Sequence, residues 1–188
     1  MEQDAIILTQ AEQQILHSFV PLAAGMHEFL GENCEIIIHN LEHLDASVMT
    51  IFNGHLSGRK AGAPISELTL SYVELMRKDE NLRHVTYFAK NKRGETFKAF
   101  TSAILGEQGR IIGLFCINFY LHVSLYSFMQ HFYPHAQPEP ENISEIFVEN
   151  TEELMLAALE DAKKTVYGNP AISSANKNKE IIHILSQK

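Results

Sequence analysis

The run Arg110–Tyr120, RIIGLFCINFY, constrains the fold more than any other stretch of the chain. Read as a strand, it places Ile111, Phe115, Ile117 and Phe119 on one face and Ile112, Leu114 and Cys116 on the other. An antiparallel strand with one wet face alternates apolar and polar residues. This one does not, so it belongs inside a sheet with a layer on each side.

Its partners are legible by composition. CEIIIHN (34–40) and SVMTIFN (47–53) are β-like runs. LRHVTYFAKN (82–91) alternates and ends in the turn NKRG, and ETFKAFTSAILG (95–106) joins the last strand through EQG, a short glycine-containing turn. Between the second and third runs, Pro64 to Arg77 has helical spacing at Ile65, Leu68, Val73 and Leu75/Met76, with a proline suited to a helix start. The expected order is strand, strand, crossover helix, then three strands in a meander. That crossover helix covers one face of the sheet. The other is left to the N-terminal helix, a C-terminal helix or a second subunit.

The N-terminal helix has its own signals. Thr9 and Glu12 have capping-box spacing, and Ile15, Phe19, Leu22, Met26 and Phe29 form an apolar stripe. Pro21 is expected to kink or divide it, and Gly31 to end it. Beyond Tyr120 the pattern is helical until PHAQPEP (134–140). A long helix is then expected from about Asn142 to Val166, with Ile143, Phe147, Leu154 and Ala158 on one stripe. YGNPAISSANKN reads as turn and linker, and KEIIHILSQK as an amphipathic start without a stop signal, so the natural chain is expected to continue past Lys188. Four segments follow: 1–30, an N-terminal helical segment; 31–120, the sheet domain; 121–168, C-terminal helices for dimerisation or signalling; and 169–188, a linker and the start of a further domain. The fold class is α+β.

Composition narrows function by exclusion. A net charge of −8 disfavours a broad nucleic-acid grip. Ten of the fifteen basic residues fall between Arg59 and Arg110, so an anion contact is best sought there. Eight acids and no Lys or Arg lie between Glu139 and Asp161. No apolar run approaches the roughly 20 residues of a membrane helix, and the N-terminus lacks the pattern of a signal peptide. The two cysteines, Cys34 and Cys116, sit in β-like runs and read as free thiols in a reducing cytosol. The expected location is cytoplasmic.

The loop NGHLSGRKAG (53–62) holds the densest polar chemistry. Its GHLSG matches the letters of a nucleophile elbow, but an elbow needs a strand–Ser–helix turn in a parallel sheet. No GxxxxGK[ST] is present. No acid or cysteine completes a ligand set with His39 and His43 or with His131 and His135. Neither a catalytic residue nor a metal ligand is expected, and the sequence leaves the cofactor unknown; without CxxCH, covalent haem is not indicated. Arg59 offers a fork for a carboxylate or phosphate, or pairs with an acid of its own chain such as Glu67. Lys98, Thr101 and Ser102 contact a ligand or merely line a half-exposed strand. Asn118, in an apolar strand, must be hydrogen-bonded. It ties to backbone or faces a cavity. The expected polar lining is Asn53, His55, Ser57, Arg59, Thr101 and Asn118.

GENCEIIIHNLEHLDASVMTIFNGHLSGRKAGAPISELTL (31–70) and GRIIGLFCIN (109–118) carry a resemblance to the YheO-like PAS family of bacterial DNA-binding transcriptional regulators. The resemblance covers about residues 10–120 well and is weaker to the C-terminus. It implies a PAS fold, a five-stranded antiparallel sheet with helices across it, in agreement with the order read from the residues. It also implies a sensory role, homodimers, and a helix-turn-helix after NPAISSANKNKEIIHIL, of which only the first helix would be present. DNA would then be reached only through that missing domain. The resemblance names no effector. The expected function is a sensor and dimerisation region for a small anionic or amino-acid-like molecule. The alternative is a ligand-free PAS scaffold for dimerisation or protein–protein contact.

Overall fold

The computed structural model of the chain describes residues 6–122, 126, 129, 132 and 151–187. Five strands form one antiparallel sheet: β1 (Cys34–Asn40), β2 (Val48–Phe52), β3 (His84–Lys90), β4 (Thr96–Leu105) and β5 (Ile111–Tyr120). Their order across the sheet is β2-β1-β5-β4-β3, so the two-sided apolar strand β5 is central. The chain leaves the β2 edge, crosses one face through α2 (Glu67–Lys78) and returns at the β3 edge. Helix α1 (Gln10–Leu30) lies on the opposite face.

Each face of β5 is covered from within the chain, as its composition requires. On one side Leu16 and Ala23 of α1 pack with Ile36, Ile38, Ile104, Ile112 and Phe115. On the other, Val73 and Met76 of α2 pack with Ile37, Val48, Ile111, Leu114 and Cys116. Simple alternation puts Ile111 with Phe115 and Ile112 with Leu114. The structure exchanges the two isoleucines, because the β4–β5 register shifts at Ile104/Leu105. A bulge reverses the facing of the residues before it.

Helix α1 starts at the expected capping box. Glu12 N–H donates to Thr9 Oγ1 at 3.2 Å and Thr9 N–H to Glu12 Oε2 at 3.0 Å. Gly31 is its C-cap, with φ 76°. Pro21 does not divide it: α1 runs through as one helix of 21 residues. Pro21 and His17, whose carbonyl loses its donor, are both exposed residues, so the lost bond lies on the solvent side of the helix. The buried stripe is also rotated from the expected one. Glu12, Leu16 and Ala23 are buried, whereas Leu22 and Phe29 are 50% and 65% exposed.

Helix α2 begins at Glu67 rather than at Pro64. Ser66 is the cap, its Oγ accepting from Thr69 N–H at 3.2 Å. Residues 62–65 instead run beside β2, with Gly62 N–H donating to Val48 O and Ile65 N–H to Leu44 O.

By compactness the chain divides into Met1–His135 and Ala136–Lys188. The first unit holds α1 and the sheet. In the second, α3 (Thr151–Gly168) and α4 (Lys177–Ser186) share a small core of Ala162, Val166 and Ile181. The expected helix from Asn142 is described only from Thr151, so Ile143 and Phe147 lie outside the described residues, as do most of 121–135 and the pair His131 and His135. Of that stripe, Leu154 is exposed. Among the described residues no helix is long and apolar enough to cross a membrane.

Candidate functional site

A cavity of about 530 Å³ lies on the α2 face of the sheet, roofed by the start of α2 and the loop 53–66. That volume falls within the range of small-molecule sites. Its floor comes from β1 and β5. Glu35, Ile37 and His39 alternate along β1, and Cys116, Asn118 and Tyr120 along β5. Period two puts each trio on one face. Thr101 and Phe97 of β4 and Tyr87 and Ala89 of β3 continue the wall.

The loop is held by specific bonds. Leu56 is buried, and its carbonyl accepts from Asn91 Nδ2 at 3.1 Å and from the Arg93 guanidinium. Those two residues belong to the β3–β4 turn, so two separate loops are stitched at the cavity mouth. A Cβ at Gly54 would overlap the Arg59 carbonyl oxygen and crowd Ile51, so the tight turn admits only glycine there. Gly58 has φ 79°, a conformation that favours glycine.

Glu35 is the central group. It is 1% exposed, accepts from the Ser57 hydroxyl at Oε1 and from Asn118 Nδ2 at Oε2 (2.9 Å), and touches no cation among the described residues. Burial pushes its pKa up, against the lowering effect of the Ser57 and Asn118 hydrogen bonds and of the Arg59 charge. His39, two residues along the same face, has its Nδ1 2.9 Å from Ser47 Oγ. Burial, reinforced by Arg59, pushes it down to about 3, so it is neutral at physiological pH. Burial likewise raises Cys116 to about 11 and Tyr120 to about 12. Cys116 is therefore a thiol, to which Thr101 Oγ1 donates at 3.5 Å.

Four of the six polar residues expected from sequence line this cavity: Ser57, Arg59, Thr101 and Asn118. Two do not. Asn53 spans the β2 end instead, with Nδ2 donating to Cys34 O at 2.8 Å and Gly31 O at 3.1 Å and lying 3.2 Å from His27 Nδ1. Its φ of 54° turns the chain into the loop. His55 is exposed at the loop's outer side. Ser57 bonds to Glu35, the Gly54 carbonyl and the Arg59 amide, not to His55. Arg59 does not pair with Glu67. Its guanidinium donates to Pro64 O at 2.6 Å, a bond that needs one of its five donors. Asn118 binds a carboxylate rather than backbone. Lys98 stands on the opposite face, 5.9 Å from the Phe88 ring centroid. Among the described residues no three His, Cys, Asp or Glu side chains converge as a metal site would require.

Glu35 was the residue that sequence reasoning passed over. The signal was present: in CEIIIHN, an acid and a histidine at i, i+4 fall on one face of a strand otherwise built of isoleucine.

The YheO-like PAS domain model matches residues 10–134. An uncharacterized protein of Haemophilus influenzae is 32% identical over 185 residues, covering 98% of this chain and 82% of that protein. The uncharacterized protein YheO of Escherichia coli K12 is 33% identical over 179 residues, 95% of this chain and 74% of that one. Among solved structures, the PAS domain of a Colwellia psychrerythraea protein aligns with 54% of this chain and 97% of its own, at 15% identity and a TM-score of 0.40. A LOV protein of Rhodobacter sphaeroides aligns with 96% of this chain and 93% of its own, at 10% identity and a TM-score of 0.38. With the family model matched over the whole sheet and α1, and two relatives matched along nearly the full chain, the protein belongs to the YheO-like PAS domain family.

Proposed function

We propose that the chain is the sensor region of a bacterial transcriptional regulator, cytoplasmic and not enzymatic, with a small molecule bound in the cavity under α2. The observation that carries this reading is Glu35, a buried carboxyl in no ion pair among the described residues, facing a cavity that Arg59 also lines. Burying a carboxyl is costly, and its neutral hydrogen bonds and the charge of Arg59 offset the desolvation only in part, since its pKa stays raised.

The protein acts as a homodimer in this reading, and DNA is read by a segment after residue 188. A ligand shifts the PAS core between two states only as far as it prefers one of them. The second unit, with α3 and α4, is the segment through which such a shift would be passed on. Neither face of β5 requires a second subunit to cover it, since the chain's own helices lie on both.

Arg59→Ala tests the reading. It is expected to abolish thermal stabilisation by small carboxylates while leaving the melting temperature of the free protein nearly unchanged. A large loss of stability without any effect on carboxylates would assign Arg59 a structural role. Residues 1–188 are expected to leave duplex DNA unshifted at physiological salt, whereas a longer natural form shifts it. Tight DNA binding by the 188-residue chain would contradict that division.

A further inference from the structure

The cavity separates its charges by depth. Glu35 lies in the floor, 1% exposed, whereas Arg59 is half-buried and Lys90 and Lys92 are exposed at the rim. Both Glu35 oxygens accept from neutral donors, the Ser57 hydroxyl and the Asn118 amide. A carboxylate has four lone pairs, and the Ser57 hydroxyl and backbone amide with the Asn118 amide occupy three at most, so acceptor capacity remains for a further donor. No cation pairs with Glu35 directly among the described residues: the charge of Arg59 reaches it only through space. His39 is neutral, and the Tyr87 phenol, the Thr101 hydroxyl and the Cys116 thiol share the wall.

A ligand carrying only negative charge would lie over Glu35 and be repelled from the floor. One carrying only positive charge would leave the three bases of the rim without a partner. A ligand with both charges matches both levels, and it has only one favourable orientation.

We infer that the cavity takes a zwitterion of the amino-acid class, its protonated amine on Glu35 and its carboxylate on Arg59. This rests on the reading that the cavity binds a small molecule, and goes beyond it by fixing the ligand's two charged ends. The Ser57 hydroxyl and Asn118 amide hold the Glu35 carboxylate in place for the amine. Charge-assisted hydrogen bonds are roughly twice as strong as neutral ones, so the amine adds specificity as well as affinity.

The test uses the full 188-residue chain and three matched sets of probes: the common α-amino acids, the amines left by their decarboxylation, and the corresponding α-keto acids. At least one amino acid is expected to raise the melting temperature in a concentration-dependent way. Its amine and keto acid, measured by calorimetry, are expected to bind at least about tenfold more weakly, the loss of one charge-assisted contact. Glu35→Gln, close to isosteric, is expected to keep the circular dichroism spectrum and lose about tenfold in affinity for that amino acid, while keto-acid binding is not weakened and rises as the repulsion from the floor is removed. Arg59→Ala is expected to weaken both. Keto acids that bind as well as amino acids, with Glu35→Gln without effect, would overturn the inference and leave the ligand cavity standing. An amino acid whose binding ignores both substitutions would overturn both. Absence of stabilisation by every probe would overturn the inference, while a co-purified mass on the protein would still uphold the cavity. Should Glu35→Gln fail to fold, the comparison of amino and keto acids on the unmodified chain decides.

Discussion

Two glutamates are buried on opposite faces of one sheet, and their surroundings differ in kind. Glu12, on the α1 face, is 0% exposed and fully partnered. It accepts from the Thr9 amide at 3.0 Å, the Glu107 amide at 3.1 Å and Arg110 Nε at 2.7 Å, and Arg110 Nη2 also donates to it. The Arg110 hydrogen bond, aided by those from the Thr9 and Glu107 amides, outweighs burial and holds its pKa down at about 2. Glu35, on the α2 face, accepts two neutral donors and borders a cavity, and its pKa moves up. The comparison separates a structural carboxylate from one placed for recognition. Glu12 closes a joint between the first turn of α1 and the β4–β5 turn. Glu35 is left with unused acceptor capacity where a ligand could reach it.

The largest contrast is expected from removing each charge in turn. Glu12→Gln leaves Arg110 without its partner and should lower the urea midpoint of unfolding markedly. Glu35→Gln should leave the midpoint equal or raise it, because it removes a desolvated carboxyl and keeps its shape. Equal losses for the two would erase the distinction drawn between the faces.

Apolar packing should follow the same division. Leu16→Ala, on the dry α1 face, is expected to cost about 2–5 kcal/mol, the range for emptying a closed core. Ala89→Val, which adds volume beside the cavity, should cost less than about 1 kcal/mol, since space is already present there. A penalty of core size at Ala89 would mean that the cavity side is as tightly filled as the other.

The pH dependence is smaller and has a definite sign. Glu12 has a depressed folded pKa, so its contribution is present above 4.5 and is lost as the pH falls toward about 2. His39, depressed to about 3, favours the fold above its ordinary 6.5 and weakens it as the pH falls below that. Glu35 acts in the other direction. Its raised folded pKa makes stability decline as the pH rises from 4.5 through that folded value. Glu35 and His39 therefore oppose each other in mildly acidic solution. In Glu35→Gln, stability should climb more steeply with pH than in the unmodified chain, as followed by chemical denaturation at several pH values. An unchanged slope would place the Glu35 pKa near its ordinary value.

The smallest effect on stability is expected at Arg59→Ala. Arg59 makes one side-chain hydrogen bond, to Pro64 O, and no ion pair with the carboxylates of the described residues. A loss under about 1 kcal/mol by urea denaturation is expected, typical of surface positions outside packed networks. A larger loss would make Arg59 a fastener of the loop rather than a free donor.

Much of this arrangement was legible in the sequence, for identifiable reasons. The apolar run in β5 required two covering layers, and the turn residues after Lys90 and Leu105 set the meander. The capping box of α1 is local chemistry, so the four residues Thr9–Glu12 sufficed to read it. The loop glycines marked a tight turn. What escaped depended on long-range contacts. Glu12 was readable as a cap but not as the partner of Arg110, which lies 98 residues away. Asn53 looked like a loop ligand, yet its amide is consumed by the carbonyls of Gly31 and Cys34, which only the β1–β2 pairing brings close. The exchange of Ile111 and Ile112 followed from a bulge with no strong local signature. Glu35 was visible as an acid among isoleucines, but its two donors come from a loop and from β5.

The most direct test is a native mass spectrum of the protein as purified, beside that of Arg59→Ala. The unmodified chain should carry a non-covalent mass of small-molecule size that Arg59→Ala lacks. A bare chain mass for both, unchanged by prior incubation with the amino-acid panel, would contradict a ligand site under α2.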